Sequence, residues 1–297
     1  MNWDDLRVFL AVAREEGLSG AGRRLRLDPA TAGRRIARLE EALGTVLFAK
    51  SPQGYRLTEA GQRLLPRAEA AEAALREGLE AGRDGSGSLS GTIRIGAPDG
   101  CATFLLPQVC EAIAAAHPDL DIQILALPRV VNLSRREADL AIAVSAPKTD
   151  RLRAEKLSDY RLSLAATQGF LDAHGTPRAV GDLRAARMVG YIPDMIFDAE
   201  LDYLGGLGVS RVPLASNTVS VQLGFARAGA GLAIVHDFAL PFAPELVRVL
   251  PDEVALRRTF WLLSHAGPRD ARLDRFAGLL RDGVRAEIAR LEAVAAG

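Results

Sequence analysis

The sequence predicts a two-part fold: a small helical unit closed by a β-hairpin, then a long helix leading into an α/β domain of two lobes. Three observations predict it. Apolar residues recur at helical spacing from Leu6 to Leu43, interrupted by start and stop signals and followed by two short strand-like runs around Pro52–Gln53–Gly54. From Glu59 the helical period runs on to about residue 82. From Thr92 onward strand-like and helix-like segments alternate, the pattern of sheets covered by helices, over a length of about 200 residues that suffices for two small lobes.

The first helix spans residues 3–15, because Leu6, Phe9, Leu10 and Ala13 fall at i, i+3, i+4 and i+7. A second short helix is expected to start with Ser19 as its cap and to end near Leu25. After the two-residue gap Arg26–Leu27, Asp28 sits as an N-cap with Pro29 at the first helical position. The third helix puts Ala32, Ile36, Leu39 and Leu43 on its buried face. Thr31, Gly33, Arg34, Arg35 and Arg38 are left on its other faces, and Gly44 stops it. Leu47–Phe48 and Tyr55–Arg56–Leu57 flank the turn as two short strands.

Helix, helix, recognition helix and hairpin make a winged helix-turn-helix, a design in which the N-terminal part of the second helix of the motif enters the DNA major groove. Charge supports this. The chain as a whole is neutral, with 37 Lys+Arg against 37 Asp+Glu. Yet six arginines fall between positions 23 and 38, with only Asp28 opposing them. A neutral chain with a local basic cluster on helices points to a directed contact with phosphate, and arginine suits bidentate contact with guanine. The candidate DNA-binding residues are Thr31, Arg34, Arg35 and Arg38 on the helix, with Lys50 and Arg56 on the wing.

Thr58 can cap the long helix. Leu64, Ala68, Ala71, Leu75 and Leu79 form a narrow apolar seam on it, with Glu69, Glu72, Arg76 and Glu80 between them. A seam that narrow on a charged helix suggests pairing with a second copy. The run 82–91, GRDGSGSLSG, reads as a flexible hinge. The expected organisation is a winged helix over 1–57, a linker helix over 58–82, a hinge over 83–91 and a two-lobed domain over 92–297. Lobe I takes about 92–160 and 265–297, and lobe II about 161–264.

In the last part, strands are expected at Thr92–Gly96, Leu120–Ala126, Ala138–Val144, Arg161–Ala166, Met188–Tyr191, Val212–Ala215, Leu232–Val235 and Thr259–Ser264. Helices are expected at 103–116, 130–137, near 168–174, near 198–206, at 218–228 and at 270–292. A late strand and final helix returning to the first lobe give two crossovers and a cleft between lobes. Ligands in open α/β sheets bind beyond the carboxyl ends of strands, where helix N-termini offer free N–H groups. The loops that meet this description supply Asp99, Gly100, Cys101, Arg129, Ser145, Met195, Phe197, Thr218 and His236 as candidate ligand contacts. Met195, Ile196 and Phe197, with few fixed charges nearby, suggest a mostly apolar or small neutral ligand.

Other functions are poorly supplied. His117, His174, His236 and His265 are scattered and fit no metal-ligand spacing. No G-x-S-x-G, H-E-x-x-H or Walker sequence occurs, so no catalytic residue, resident cofactor or metal is assigned. Cys101 and Cys110 read as small buried thiols; on one helix they would lie about 13 Å apart, too far for a disulfide. No run of 18 apolar residues exists, and MNWDDLRVF lacks the features of a signal peptide, so a cytoplasmic location is expected.

The N-terminal segment resembles the DNA-binding domain of LysR-type transcriptional regulators through Phe9–Ala11–Val12, Leu25, Arg34–Arg35–Ile36, Leu39–Glu40, Leu43–Gly44, Leu47–Phe48 and Leu57–Thr58–Glu59–Ala60–Gly61. Members usually carry Ser-Gln where this chain has Asp28–Pro29, and Ser at Gly33, so two customary base-reading side chains are replaced. The later part resembles the family's periplasmic-binding-protein-like effector domain through Ile93–Arg94–Ile95–Gly96, Leu106–Pro107, His117–Pro118, Arg136–Glu137–Ala138–Asp139–Leu140–Ala141–Ile142, His174–Gly175–Thr176–Pro177 and Gly229–Ala230–Gly231–Leu232–Ala233. Gly100 stands where members often carry Ser or Thr. The resemblance implies a ligand-responsive transcriptional regulator, not an enzyme. It would act as a homodimer or homotetramer on double-stranded DNA, with a small-molecule effector between the lobes and RNA polymerase as a further partner. The alternative is an architectural, ligand-independent DNA-binding oligomer.

Overall fold

The computed structural model describes residues 2–51, 54–81, 88–126, 137–147, 149, 152–209, 211–266 and 271–296. The chain divides into a smaller unit, Met1–Gly87 with Gly267–Arg272, and a larger one made of Ser88–Ala266 and Leu273–Gly297.

The N-terminal unit is built around α1 (Trp3–Glu15). Its Val8, Phe9, Leu10, Ala11 and Val12 are all buried, a wider stripe than the i, i+3, i+4 pattern implies. The reason is that α1 is covered on several sides, by α2 (Leu18–Leu25), α3 (Pro29–Leu43), the hairpin and the long helix α4 (Glu59–Ala81). Asn2 caps α1, its side chain accepting from the Asp4 N–H at 3.1 Å. The cap of α2 is Gly17, not Ser19, which lies inside the helix, and no side chain serves there. Asp28 does cap α3, accepting from the Ala30 N–H at 2.8 Å, and Gly44 ends it at φ 65°. Between α2 and α3 the chain turns so tightly that a Cβ on Gly22 would sit 2.6 Å from the Leu27 carbonyl oxygen. The wing is β1 (Phe48–Ser51) paired antiparallel with β2 (Gly54–Leu57). Leu43, expected inside, is instead 40% exposed, because the last turn of α3 runs past the core.

Thr58 caps α4 as expected: its Oγ1 accepts from the Gly61 N–H at 3.1 Å. The expected seam divides in two. Leu64, Leu65 and Ala68 pack into the core of the unit, and Glu72 is tied to Arg14 at 2.6 Å. Beyond that point Leu75 is 43% exposed. The Leu79 side chain lies outside the described residues.

The larger unit holds one nine-stranded sheet in the order β4-β3-β5-β11-β6-β9-β7-β8, with β10 also on β6. Its strands are β3 (Gly91–Ala97), β4 (Leu120–Ala126), β5 (Leu140–Ala143), β6 (Leu152–Thr167), β7 (Met188–Gly190), β8 (Leu214–Ala215), β9 (Leu232–His236), β10 (Leu246–Arg248) and β11 (Ala255–His265). Pairing is parallel at the two ends and antiparallel in the middle. Two long strands, β6 and β11, run side by side through both lobes. β11 pairs with β5 at Trp261–Leu263, and β6 pairs with β9 at Leu162–Ala165. Their mutual register shifts between Phe260 and Trp261, a bulge at the junction of the lobes. The sequence marked only the later part of each of these two strands, since Arg, Lys and Glu on their exposed positions interrupt the apolar pattern.

The helices are α5 (Asp99–Phe104), α6 (Leu106–Ala116), α7 (Gln168–His174), α8 (Val219–Arg227) and α9 (Ala271–Ala296). The single helix expected at 103–116 is thus two, split at Leu105, and Cys101 and Cys110 lie on different helices. Near 198–206 two short 3₁₀ turns, Ala199–Leu201 and Gly205–Leu207, stand in place of a helix. Expected helix 130–137 falls almost wholly outside the described residues. α9 bridges the lobes rather than closing only the first. Gly283 lies against Val109 of α6, while Glu292 pairs with Arg161 at 2.9 Å and the Ala295 carbonyl accepts from Arg248 at 2.5 Å. Of the expected hinge, 82–87 lie outside the described residues. The rest is anchored: Leu89 is buried, its N–H donates to His117 Nδ1 at 3.3 Å, and Gly91 opens β3. No described helix is long and apolar enough to cross a membrane.

Candidate DNA-binding surface and effector cleft

The basic cluster changes character once α1 is in place. Asp4, Asp5 and Glu15, distant from it in sequence, face it in the fold. Arg35 pairs with Asp4 at 3.3 Å and Arg24 with Glu15 at 3.1 Å. Arg38 grips Asp5 with two hydrogen bonds, one of them Nε to Oδ2 at 2.8 Å. Asp5 is buried, and the hydrogen-bonded Arg38 guanidinium holds its carboxyl below the usual carboxylate value against the opposing effect of burial. Arg38 therefore ties α3 to α1. Of the six arginines, Arg23, Arg26 and Arg34 have no acidic partner among the described residues. Arg34 is exposed on the first turns of α3, where its guanidinium donates to Thr31 Oγ1 at 2.9 Å. Arg56 is exposed on β2. Lys50 lies on β1, with its side chain outside the described residues.

In the larger unit, β3 delivers the chain to α5 and β8 delivers it to α8, and the two helix starts meet. The Asp99 carboxylate accepts from the Ser220 N–H at 2.8 Å. Thr218, the N-cap of α8, makes no capping bond of its own, so a carboxylate from the other lobe satisfies a free N–H and faces the positive end of the helix. Thr103 and Ser220 hydroxyls lie 3.3 Å apart. A Cβ on Gly100 would sit 2.8 Å from Val219 and 3.3 Å from the His236 ring, so the absent side chain is what lets the lobes close here. Ser145 donates to Asp198 across the same divide. The cavity left at this edge, beside Phe104, Val219 and His236, is about 10 Å³, room for one water.

The structure brings Asp99, Gly100, Thr218 and His236 together, and Ser145 to the segment that carries Phe197. Met195 and Phe197 are exposed. Arg129 lies outside the described residues. Cys101 is fully buried, and burial pushes its thiol far up; Cys110 is likewise buried and pushed up to about 11. Both are free cysteines. Cys101 thus belongs to the packing beneath the cleft. His236 stacks on Tyr160 with ring centres 5.3 Å apart, and burial pulls its imidazole down to about 3. It is neutral at physiological pH and offers an effector no charge. No group of His, Cys, Asp or Glu among the described residues is arranged to hold a metal.

The comparisons with known proteins agree with this architecture. Residues 3–62 match the bacterial regulatory helix-turn-helix model of the lysR family, and residues 86–285 match the LysR substrate binding domain. The chain is 30% identical to the regulator DgdR of Burkholderia cepacia over 80% of this chain and 79% of that one. It is 31% identical to the regulator DmlR of Escherichia coli K12, in a match spanning 61% of this chain and 59% of DmlR. Full-length LysG from Corynebacterium glutamicum, solved with bound effector Arg, has the same fold, with a TM-score of 0.64 at 22% identity over 96% of this chain and 98% of LysG. The protein belongs to the LysR family of transcriptional regulators: a DNA-binding helix-turn-helix joined to a ligand-responsive domain, and not an enzyme.

Proposed function

We propose that this regulator reads DNA with the exposed start of α3, through Thr31 and Arg34, and holds the backbone with Arg56 and Lys50 of the wing. Arg35 and Arg38 serve mainly to fix the helix against α1. Two copies pair along the outer half of α4, where Leu75 is bare, and so present two recognition helices to the half-sites of an inverted repeat. The assembly is a homodimer or homotetramer acting on DNA in the cytoplasm, with RNA polymerase as a further partner.

The effector acts at the interlobe cleft. The Asp99 cap on α8 carries this reading, because it is a cross-lobe bond that a bound molecule has to replace or reinforce. An effector that donates to Asp99, or accepts from the α8 N-terminus in its stead, changes the balance between closed and open lobes and with it the spacing of the DNA-binding units. The test is genome-wide mapping of binding sites, followed by titration of compounds suggested by the neighbouring genes against wild-type protein and Asp99→Ala. Loss of response in the variant, with DNA affinity kept, is the expected outcome; an unchanged response removes Asp99 from the site. The 10 Å³ interlobe cavity favours a second reading, a ligand-independent DNA-binding oligomer. Failure of every compound to stabilise the protein would select it.

A further inference from the structure

We propose that lobe II carries a small-molecule site of its own, beside the interlobe cleft but not built on the Asp99–Ser220 contact, for an uncharged, largely apolar, ring-sized molecule bearing a hydrogen-bond donor. The site is a cavity of about 330 Å³ whose lining residues all fall between Val189 and Ile234. Strands β7 and β9 line it with Val189, Gly190 and Ile234, α8 with Gln222, and the irregular chain that follows β7 with Tyr191, Ile196, Leu201 and Tyr203. That irregular chain is where the sequence pattern suggested a helix. Short 3₁₀ turns there leave space that a continuous helix would fill. The volume lies in the range of natural small-molecule pockets, roughly 300–1,000 Å³.

The lining selects the chemistry. It contains Val189, Ile196, Leu201, Val212 and Ile234, and no Lys, Arg or His. Its one carboxylate, Asp202, accepts from the Gly205 N–H at 2.9 Å and so closes its own turn. An anion entering here would shed water against apolar walls and meet a negative charge. Tyr191 and Tyr203 pack edge to face with ring centres 5.8 Å apart, and burial keeps both phenols protonated, so they offer a cation no counter-charge. One polar contact is left over. Gln222 is 3% exposed, and its amide nitrogen donates to the Ser216 carbonyl at 2.9 Å. Its Oε1 has no donor among the described residues, and Gln222 lines the cavity. That oxygen is open to the cavity and to the water in it, and a ligand hydroxyl or N–H takes the place of that water as its donor.

Titration calorimetry on the full-length protein tests this with 2-naphthol, which has the ring size and the donor, and with 2-naphthoate, the same rings carrying a charge. Saturable binding of 2-naphthol is expected, at least about tenfold tighter than that of 2-naphthoate. Val212→Phe, which fills the cavity, should abolish it, and Gln222→Leu should weaken it about fivefold or more. Asp99→Ala should leave it unchanged, which separates this site from the interlobe reading. Should Val212→Phe fail to fold, Ile196→Trp at the half-buried rim serves in its place. The proposal is overturned by no saturable binding of 2-naphthol at about 1 mM. It is equally overturned if the folded filling variant and Gln222→Leu both bind like wild type, or if Asp99→Ala alone removes binding.

Discussion

At the scale of single residues, partner geometry decides what an arginine does. Arg34 and Arg38 are four positions apart on one helix, yet Arg34 faces outward beside Thr31 and Arg38 holds buried Asp5. Their substitutions should therefore fail differently. Arg34→Ala should weaken specific DNA binding by about 1–3 kcal/mol while leaving stability nearly intact. Arg38→Ala strands a buried carboxylate and should lower the thermal unfolding midpoint, by a modest amount because the guanidinium is itself half exposed to water. Band-shift titration beside thermal unfolding separates the two. The pH dependence has a fixed sign. Asp5 is held below its ordinary value in the folded state, so its pair stabilises above the unfolded carboxylate value and is lost as pH falls through the lower folded one. The protection of α1 amides, taken as exchange relative to the intrinsic rate at each pH, should fall on acidification below about pH 4 in wild type, and should lose much of that dependence in Asp5→Asn.

At the scale of elements, α4 shows how one apolar stripe can serve two purposes. Its first half completes the core around α1, and its second half presents Leu75 to solvent. Leu75→Glu should leave the winged helix folded, because that side chain touches no core residue, and should release monomers in sedimentation velocity. A variant that stays fully dimeric would move the assembly surface elsewhere. The wing is a second case. Lys50→Ala should weaken binding to all DNA sequences alike and reduce the slope of log affinity against log salt by about 1, the signature of one lost phosphate contact.

At the scale of the whole molecule, DNA reading and ligand sensing reside in separate compact units, so the two activities should be separable. Gly100→Phe forces a ring into the space held by Val219 and His236. It should block closure of the lobes and abolish effector response, while DNA affinity measured without effector changes little. A variant that still responds would place the response outside the cleft, and comparison with Val212→Phe would say whether lobe II carries it.

Much of this was legible in the sequence, for one physical reason: local signals act over a few residues. Asp28–Pro29, Gly44 and Thr58 mark helix ends because capping is a bond between near neighbours, and all three do so in the fold. Strand and helix alternation marked most elements of the α/β domain for the same reason. What tertiary structure alone decided involves residues far apart in the chain. Asp4, Asp5 and Glu15 neutralise half of a basic cluster that looked unopposed. Asp99 caps a helix 120 positions away and so shuts the cleft at its own candidate contact. Tyr191 and Gln222 come together around a cavity no local pattern encodes. Long-range charge pairing and the space left by imperfect packing are properties of the assembled chain, and they set which candidate residues face a partner and which hold the fold.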